Sequence, residues 1–489
     1  MRIVKNVRQG RLDCVRISDL KLNFQCRDEM IPILRGLQHL YALKEVREPI
    51  LNMIAKDVNK GSRADRGRKG FSYWQILVLA VMRFGGRMNY DKLQYHAESD
   101  KNLRTMLQVG DWDSTSFDWR RIQDNLCLLR PETVDEINHA VVGEGHRLVP
   151  EAPEKLRADS FVGETNIHYP TESSLMRDGV RKILCHCKDL SDIAGITGWR
   201  QSDHLYRKAK NLCRRIHGIA AAKGRRWEQR IKAPYRELIH HTLMIVKRAE
   251  SSLNELNRIE AFGGINLETE KEMIGYFLEL TVQVCDTAQR RVLKGEIVPN
   301  AEKLFSMFET HTQLYKRGKA GKPIQYGRMI MVYEDTVGFI VHHCILGREQ
   351  QEVAVVVEQT RLLQERLNWV IKYLSLDRGF HSSENQEQLG ELVNHLCLPM
   401  KGAKKYSKQK KCASVEFRES RKRHPGIESA IGALQHGNGL DRCPDRTERG
   451  FERYVAYGIL ARNIQVLGKL LISRESPDSK ASISKRKAA

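Results

Sequence analysis

Three carboxylates in this sequence stand where phosphoryl chemistry could use them. Asp159 lies in the strand-like run "LRADSFVG" (156–163), and Asp377 ends the apolar run "NWVIKYLSLD" (368–377) just before a turn. Glu428 opens "GIESAIGALQHG" (426–437), whose Ile427, Ala430, Ile431 and Leu434 make an apolar helical stripe with Glu428 at its edge. Brought to one spot, three carboxylates repel and hold their protons more tightly. A divalent cation removes that conflict. Mg²⁺ takes few protein carboxylates and completes its octahedron with water and phosphate oxygens. Two such ions, Mg²⁺ or Mn²⁺, roughly 4 Å apart can activate an attacking hydroxyl and stabilise the leaving oxygen of a phosphodiester. Singly, each residue also has an ordinary use. An Asp after a strand starts a turn, and an early-helix Glu complements the helix dipole. Glu164, Asp178 and Asp335 compete for the same roles.

The combination gains meaning from the elements that must carry it. Strand-like 156–163 is followed by a helical stretch from about 174 to 300. A hairpin (327–335 and 337–346), a helix (351–367), a strand (369–377), a helix from Ser383 and a short strand (395–400) come next. A basic loop (401–424) and a helix from Pro425 complete the series. Without the helical interruption, placed at about 175–302, the order is β-β-β-α-β-α-β-α. That is the order of an α/β RNase H-like catalytic domain with a mixed sheet and a large helical insertion. Asp159 then lies on the first strand and Asp377 at the C-terminal end of the fourth, where ligands gather in open α/β sheets.

The first 150 residues read as an all-α N-terminal domain. Ile31, Leu34, Leu37, Leu40 and Leu43 recur at helical spacing, a polar linker spans 60–70, and helices are predicted over 72–84 and 90–107 about the turn 85–89. That pattern suits a helix-turn-helix DNA reader or a plain helical hairpin. The predicted organisation is a helical, DNA-end-binding domain (1–150), the catalytic domain with its insertion (151–470) and a disordered basic tail (471–489).

Charge narrows the class of partner. The 489 residues carry a formal net charge of +22, which suits a polyanion. Residues 201–240 hold eleven Lys or Arg against three Asp or Glu, and 401–424 hold ten against two. The first cluster reads as a grip on a phosphate backbone, with no single residue singled out. The eleven cysteines include no CxxC pair, and no second ligand pair answers "CHC" (185–187), so free thiols in a reducing cytosol are expected. The most apolar window, 73–84, is too short to span a bilayer and carries Gln75 and Arg83. The N-terminus lacks the apolar core of a signal peptide, so a cytoplasmic protein without a membrane partner is expected.

Several blocks resemble, in order, the DDE transposases of bacterial insertion sequences, and among them the ISNCY-type members. They are "ADSFVGETNIHYPTESSLMRDGVR", "KLFSMFETHTQLYKRGKAGKPIQYGR", "SLDRGFHSSEN", "LPMKG" and "GIESAIGALQHGNGLDRC…GFERYVAYGILARNIQVLG". The likeness runs from about residue 60 to 470. It implies that Asp159, Asp377 and Glu428 are the catalytic and metal-binding residues, the two aspartates bridging two Mg²⁺ or Mn²⁺ ions. It implies a DNA transposase that binds the terminal inverted repeats of its element, hydrolyses the phosphodiester at the ends and joins them to target DNA. Lys401, Lys404, Lys405, Arg421, Lys422 and Arg423 are the expected phosphate contacts. The partners implied are double-stranded DNA and a second copy of the chain, at the bacterial nucleoid. Some relatives have Gly-Asn and an acidic residue after the hairpin, where this chain has "LGREQQEV" (346–353). An RNase H-fold nuclease without strand transfer, or a DNA-binding protein without catalysis, are the alternatives.

Overall fold

Local signals start the helices. Ser72 and Gln75 form a reciprocal capping box, satisfying two otherwise orphaned N–H groups, and the apolar run behind them becomes the helix Tyr73–Gly85. Asn89, Asp100 and Asp118 cap the next three helices from one side only, each side chain accepting first-turn N–H groups. The computed structural model describes residues 13–60, 70–110, 112–113, 115–195, 197–258, 265–319, 322–411 and 413–475. Most of the expected linker (61–69) and of the expected disordered tail (476–489) lies outside them.

Along the chain the elements are α1 (Met30–Ala42), α2 (Lys44–Val58), α3 (Tyr73–Gly85), α4 (Tyr90–Ser99), α5 (Lys101–Met106), α6 (Trp119–Cys127) and α7 (Pro131–Leu148). Then come β1 (Lys155–Thr165), α8 (Glu172–Ala194), α9 (Ser202–Ala222), α10 (Trp227–Arg230), α11 (Lys232–Arg258) and α12 (Ile265–Ala288). The hairpin strands β2 (Gln313–Lys319), β3 (Lys322–Glu334) and β4 (Ile340–Ile345) follow, then α13 (Glu352–Leu367), β5 (Tyr373–Leu376), α14 (Ser383–Leu392) and β6 (His395–Cys397). The chain closes with α15 (Ala403–Lys411), α16 (Val415–Arg423), α17 (Gly426–Gly432), β7 (Arg442–Cys443) and α18 (Glu448–Glu475). The protein is thus mixed α/β with a mixed seven-stranded sheet.

Two compact units share these elements. One comprises residues 1–164 and 328–489, the other 165–327. The expected boundary at residue 150 is therefore not a boundary of packing. The N-terminal helices α1, α3 and α7 pack on the C-terminal α18, so residues distant in sequence make one core. Helices α1 and α18 approach at glycines. A Cβ on Gly468 would lie 1.7 Å from the Pro32 carbonyl oxygen, and one on Gly36 would lie 2.4 Å from that of Ile464. Among the described helices, α18 alone is long and apolar enough to cross a membrane, but 78% of its apolar window is buried inside the protein. Its one fully buried amide, Asn463, accepts the Ile340 N–H at 2.8 Å and donates to the Ile340 carbonyl at 2.8 Å and to Asn138 at 2.7 Å. No polar group of that side chain is left unpaired, as burial requires.

In the first unit β1 is central. It is bordered by β3 on one edge and by β5, parallel to it, on the other; β6 continues parallel beyond β5, and β4 runs antiparallel to β3. In the second unit α8, α9, α11 and α12 bury one core that includes Val180, Ile183, Leu212, Ile216, Leu238 and Ile274. The hairpin pairing Gln313 with Gly327 also belongs there and is a strand pair that periodicity did not reveal.

Several expected boundaries shift. The strand expected over 369–377 begins only at Tyr373; Trp369 and Val370 are 44% and 59% exposed. They follow the left-handed Asn368 that ends α13, so the first part of the apolar run belongs to a turn. The helix expected over 90–107 breaks at Asp100, which is extended and caps α5. The expected basic loop 401–424 contains two helices, α15 and α16. Lys, Arg, Glu and Gln are good helix formers even without an apolar stripe to reveal the period.

Behind β4 lies a cluster of neutral histidines. Burial pushes His342 down to about 4 and lowers His343 and His139. Burial alone would raise Asp135 beside them, but His343 and Arg366 hold its carboxyl below the ordinary range. A base with a depressed folded-state pKa stabilises the fold above its unfolded value and loses that contribution as pH falls. The denaturation midpoint of the first unit should therefore decline from about pH 6.5 towards pH 4. Urea titrations at pH 7.5 and pH 5 test this; equal midpoints would contradict it.

Candidate active site

The parallel pairing of β1 with β5 aligns Lys155 with Tyr373 and, three rungs on, Ala158 with Leu376. The next residues are Asp159 and Asp377. Asp377 remains extended (φ −81°, ψ 165°), so the alignment carries through one further residue before the tight turn Arg378–Phe380. Neighbouring strands lie about 4.8 Å apart, and aligned residues of parallel strands face the same side, so the two aspartates are side by side. The turn-capping use of Asp377 is absent: its side chain accepts no hydrogen bond from the turn it precedes. Asp159 accepts the Ser160 N–H at 2.8 Å.

Alternation places Arg157 on the face of β1 that carries Asp159. Arg157 binds Glu334 at 2.6 Å and the Arg423 carbonyl at 2.9 Å. A Cβ on Gly426 would lie 2.1 Å from its guanidinium, so α17 begins directly over Arg157, and glycine permits the approach. Farther along, Gln435 donates to the Val162 carbonyl at 3.4 Å. The helical segment from Gly426 to Gln435 thus tracks β1 from Arg157 to Val162, and Glu428 rides over the stretch that holds Asp159. Ile427, Ala430, Ile431 and Leu434 are buried beneath it, as the apolar stripe predicts, and Glu428 is exposed. The oxygens of the three carboxylates do not all fall within 4.8 Å of one another; among the described residues that spacing is reached by His186, Asp189 and Glu270 in the second unit. There the "CHC" histidine meets Glu270 through Nδ1 at 2.7 Å and stacks on Phe277, a hydrogen bond at the edge of a helical core.

Two of the competing carboxylates, Asp335 and Asp178, have other occupations. Asp335 is buried, and one oxygen accepts the N–H groups of Val337, Gly338 and Phe339 while the other meets His146 at 3.0 Å. It builds the β3–β4 turn. Asp178 meets Arg177 at 3.2 Å and His168 at 3.5 Å in the second unit. Glu164 lies five residues farther along β1, where its N–H pairs with the Asp441 carbonyl at 3.1 Å.

Positive charge surrounds the aligned aspartates. Arg421 of α16 stands 3.7 Å from Asp377, near enough for attraction but without a hydrogen bond. Lys401, Lys404, Lys405, Lys422 and Arg423 are exposed, and Arg421 is half-buried. Arg378 lies over the Tyr406 ring of α15 at 4.9 Å, tying that basic helix to the turn after Asp377. Burial and the neighbouring Arg421 push His424 down to about 4 against the pull of Asp377, so it is neutral at pH 7. A cleft of about 440 Å³ opens beside these groups, lined among others by Arg157, Tyr373, Ser375, Arg423 and His424.

Glu352, which the sequence did not mark, reaches the same neighbourhood. It accepts the Ser160 hydroxyl, and one of its oxygens lies 3.6 Å from where a Gly379 Cβ would stand. It therefore touches the residue after Asp159 and the turn after Asp377. An acid in the first turn of a helix is too common to have signalled this. All ten described cysteines are free, in line with the expected reduced thiols. No protein-family model, curated protein or solved structure matches this chain.

Proposed function

We propose that the protein is a DDE-type DNA transposase with an RNase H-like catalytic core. The observation that carries this reading is the register of β1 and β5, which sets Asp159 and Asp377 on one rung at the point where β5 leaves the sheet, with the Glu428 helix running along β1 above them. The strand order β4-β3-β1-β5-β6, with β1, β5 and β6 parallel and β4 antiparallel to β3, is the arrangement expected of that core. The donor set, carboxylate oxygens with no hydrogen-bonded cation on Asp377, fits a hard divalent ion.

Asp159, Asp377 and Glu428 would hold Mg²⁺ or Mn²⁺, which when bound supplies Lewis acidity at a phosphodiester. The remaining work belongs to the protein. Lys401, Lys404, Lys405, Lys422 and Arg423 give the DNA backbone charge-assisted contacts that set position without reading bases. Arg421 adds positive charge at the mouth of the site, and His424 stays neutral there. Joining two ends of one element calls for two copies of the chain, one per end, acting on nucleoid DNA in the cytoplasm.

The decisive assay uses the full-length protein, Mg²⁺ and labelled duplexes carrying the DNA that flanks its coding sequence. A transposase releases a 3′-hydroxyl at the element end and then yields a joined product. Cleavage without joining would reduce the reading to a nuclease. Binding without cleavage would leave only a DNA-binding protein.

A further inference from the structure

The second unit carries a surface that the catalytic centre does not use. On α9 the buried residues Ala209, Leu212, Cys213 and Ile216 take one face. Arg207, Lys208, Lys210, Arg214 and Arg215 are exposed on the remainder, where Asp203 at the first turn is the one acid of the helix. Arg207 and Lys210 are three apart and Lys210 and Arg214 four apart, so like charges stand on adjacent turns. Each such pair costs an isolated helix about 0.2–0.5 kcal/mol. The series continues through the turn into α10. Lys223 and Arg226 there adopt left-handed backbone (φ 41° and 57°), a conformation that glycine or asparagine takes with less strain. Arg225, Arg226, Gln229 and Arg230 then line an open cleft of about 520 Å³ that holds three guanidinium groups.

Some cations elsewhere in the same unit are matched. Arg290 meets Asp286, Glu296 and Glu302, Arg291 meets Glu172, and Lys271 meets Glu268. Among the described residues, none of the cations of α9 or of the turn has a carboxylate within 4.0 Å.

We propose that the α9–α10 face is a second DNA-binding surface, one that grips the phosphates of duplex DNA. This rests on the transposase reading for the identity of the polyanion. The chemistry of the face favours a duplex backbone. The apolar side of α9 is spent in the core, so nothing remains to enter a lipid surface. Tyr206 of α9 and Trp227 of α10 are packed against the core and only partly exposed, which disfavours stacking of single-strand bases. The arginine-lined cleft supplies several donors to one phosphate group.

The test compares the full-length protein with two variants, Arg207→Gln/Lys208→Gln/Arg214→Gln/Arg215→Gln and Arg225→Gln/Arg226→Gln/Arg230→Gln. The readout is duplex DNA affinity across a salt series, with thermal melting to verify folding. Each lost phosphate contact should flatten the log K against log salt slope by about 0.9, so the fourfold variant should lose about 2 to 4. Arginine-to-lysine exchanges at the same positions should restore the slope, and cleavage at saturating DNA should stay at the wild-type rate. Unchanged affinity and slope in both folded variants would overturn the proposal. So would equal losses in the lysine variants, because charge would then not be the cause. If instead the slope falls as expected but no DNA is cut by the wild type, the surface stands and the catalytic reading fails.

Discussion

Asp377→Asn should abolish DNA cleavage and strand transfer while leaving the protein folded and still bound to DNA. The exchange keeps the shape of the side chain and removes the charge that would hold a divalent ion. Losing a few kcal/mol of transition-state stabilisation corresponds to a rate loss of about 10³-fold or more. The fold has little at stake. Asp377 is half-exposed, caps nothing, and among the described residues its one ion pair is with Arg421 at 3.7 Å, an interaction worth about 0–1 kcal/mol at such exposure. Gel-shift affinity should change little, because under the proposed function the backbone contacts would come from the lysines and arginines around the site. Asp159→Asn and Glu428→Gln should behave alike, whereas Asp178→Asn, in the second unit, should leave turnover in place. Wild-type cleavage by folded Asp377→Asn would remove the residue from the mechanism.

The second large effect is on stability. Gly468→Ala should destabilise the first unit by about 3 kcal/mol or more, at or beyond the upper end of ordinary overpacking. The added carbon would lie 1.7 Å from the Pro32 carbonyl, a backbone atom that cannot rotate away, so α1 and α18 must separate. Gly275→Ala in α12 is the matched control. Its new carbon meets nothing within 4 Å, and a helix-interior alanine should add about 0.5–1 kcal/mol. Thermal melts of the two variants should move in opposite directions. A Gly468→Ala melt equal to wild type would show that the two helices do not pack through these glycines.

Much of the architecture was legible because its signals are local. The apolar run expected as a helix over 72–84 announces α3 to within a residue. The hairpin β3–β4, expected over 327–335 and 337–346, forms over Lys322–Glu334 and Ile340–Ile345, and the spacing of Ile427, Ala430, Ile431 and Leu434 gives the buried stripe of α17 and the turn after it. The misread segments share a cause. Trp369 and Val370 are apolar but lie outside the strand, since the left-handed Asn368 sets where the chain turns. The basic segment after residue 401 is helical without an apolar period to announce it.

For the candidate site, the identity of each carboxylate was legible but its occupation was not. Asp335 and Asp377 look alike in sequence, each an aspartate after an apolar run. Backbone N–H groups and His146 claim the first, and the second is left to face Asp159. That difference arises from hydrogen bonds and strand pairing between residues far apart in the chain. Sequence alone determines the residue types, the helical and strand periods, and the excess of positive charge, because these depend on neighbours a few positions away. Tertiary structure alone decides the rung shared by β1 and β5, the path of the α17 segment along β1, and the approach of Glu352 to Ser160. The physical reason is that register is settled by burying a whole strand face at once, and no local signal contains that sum.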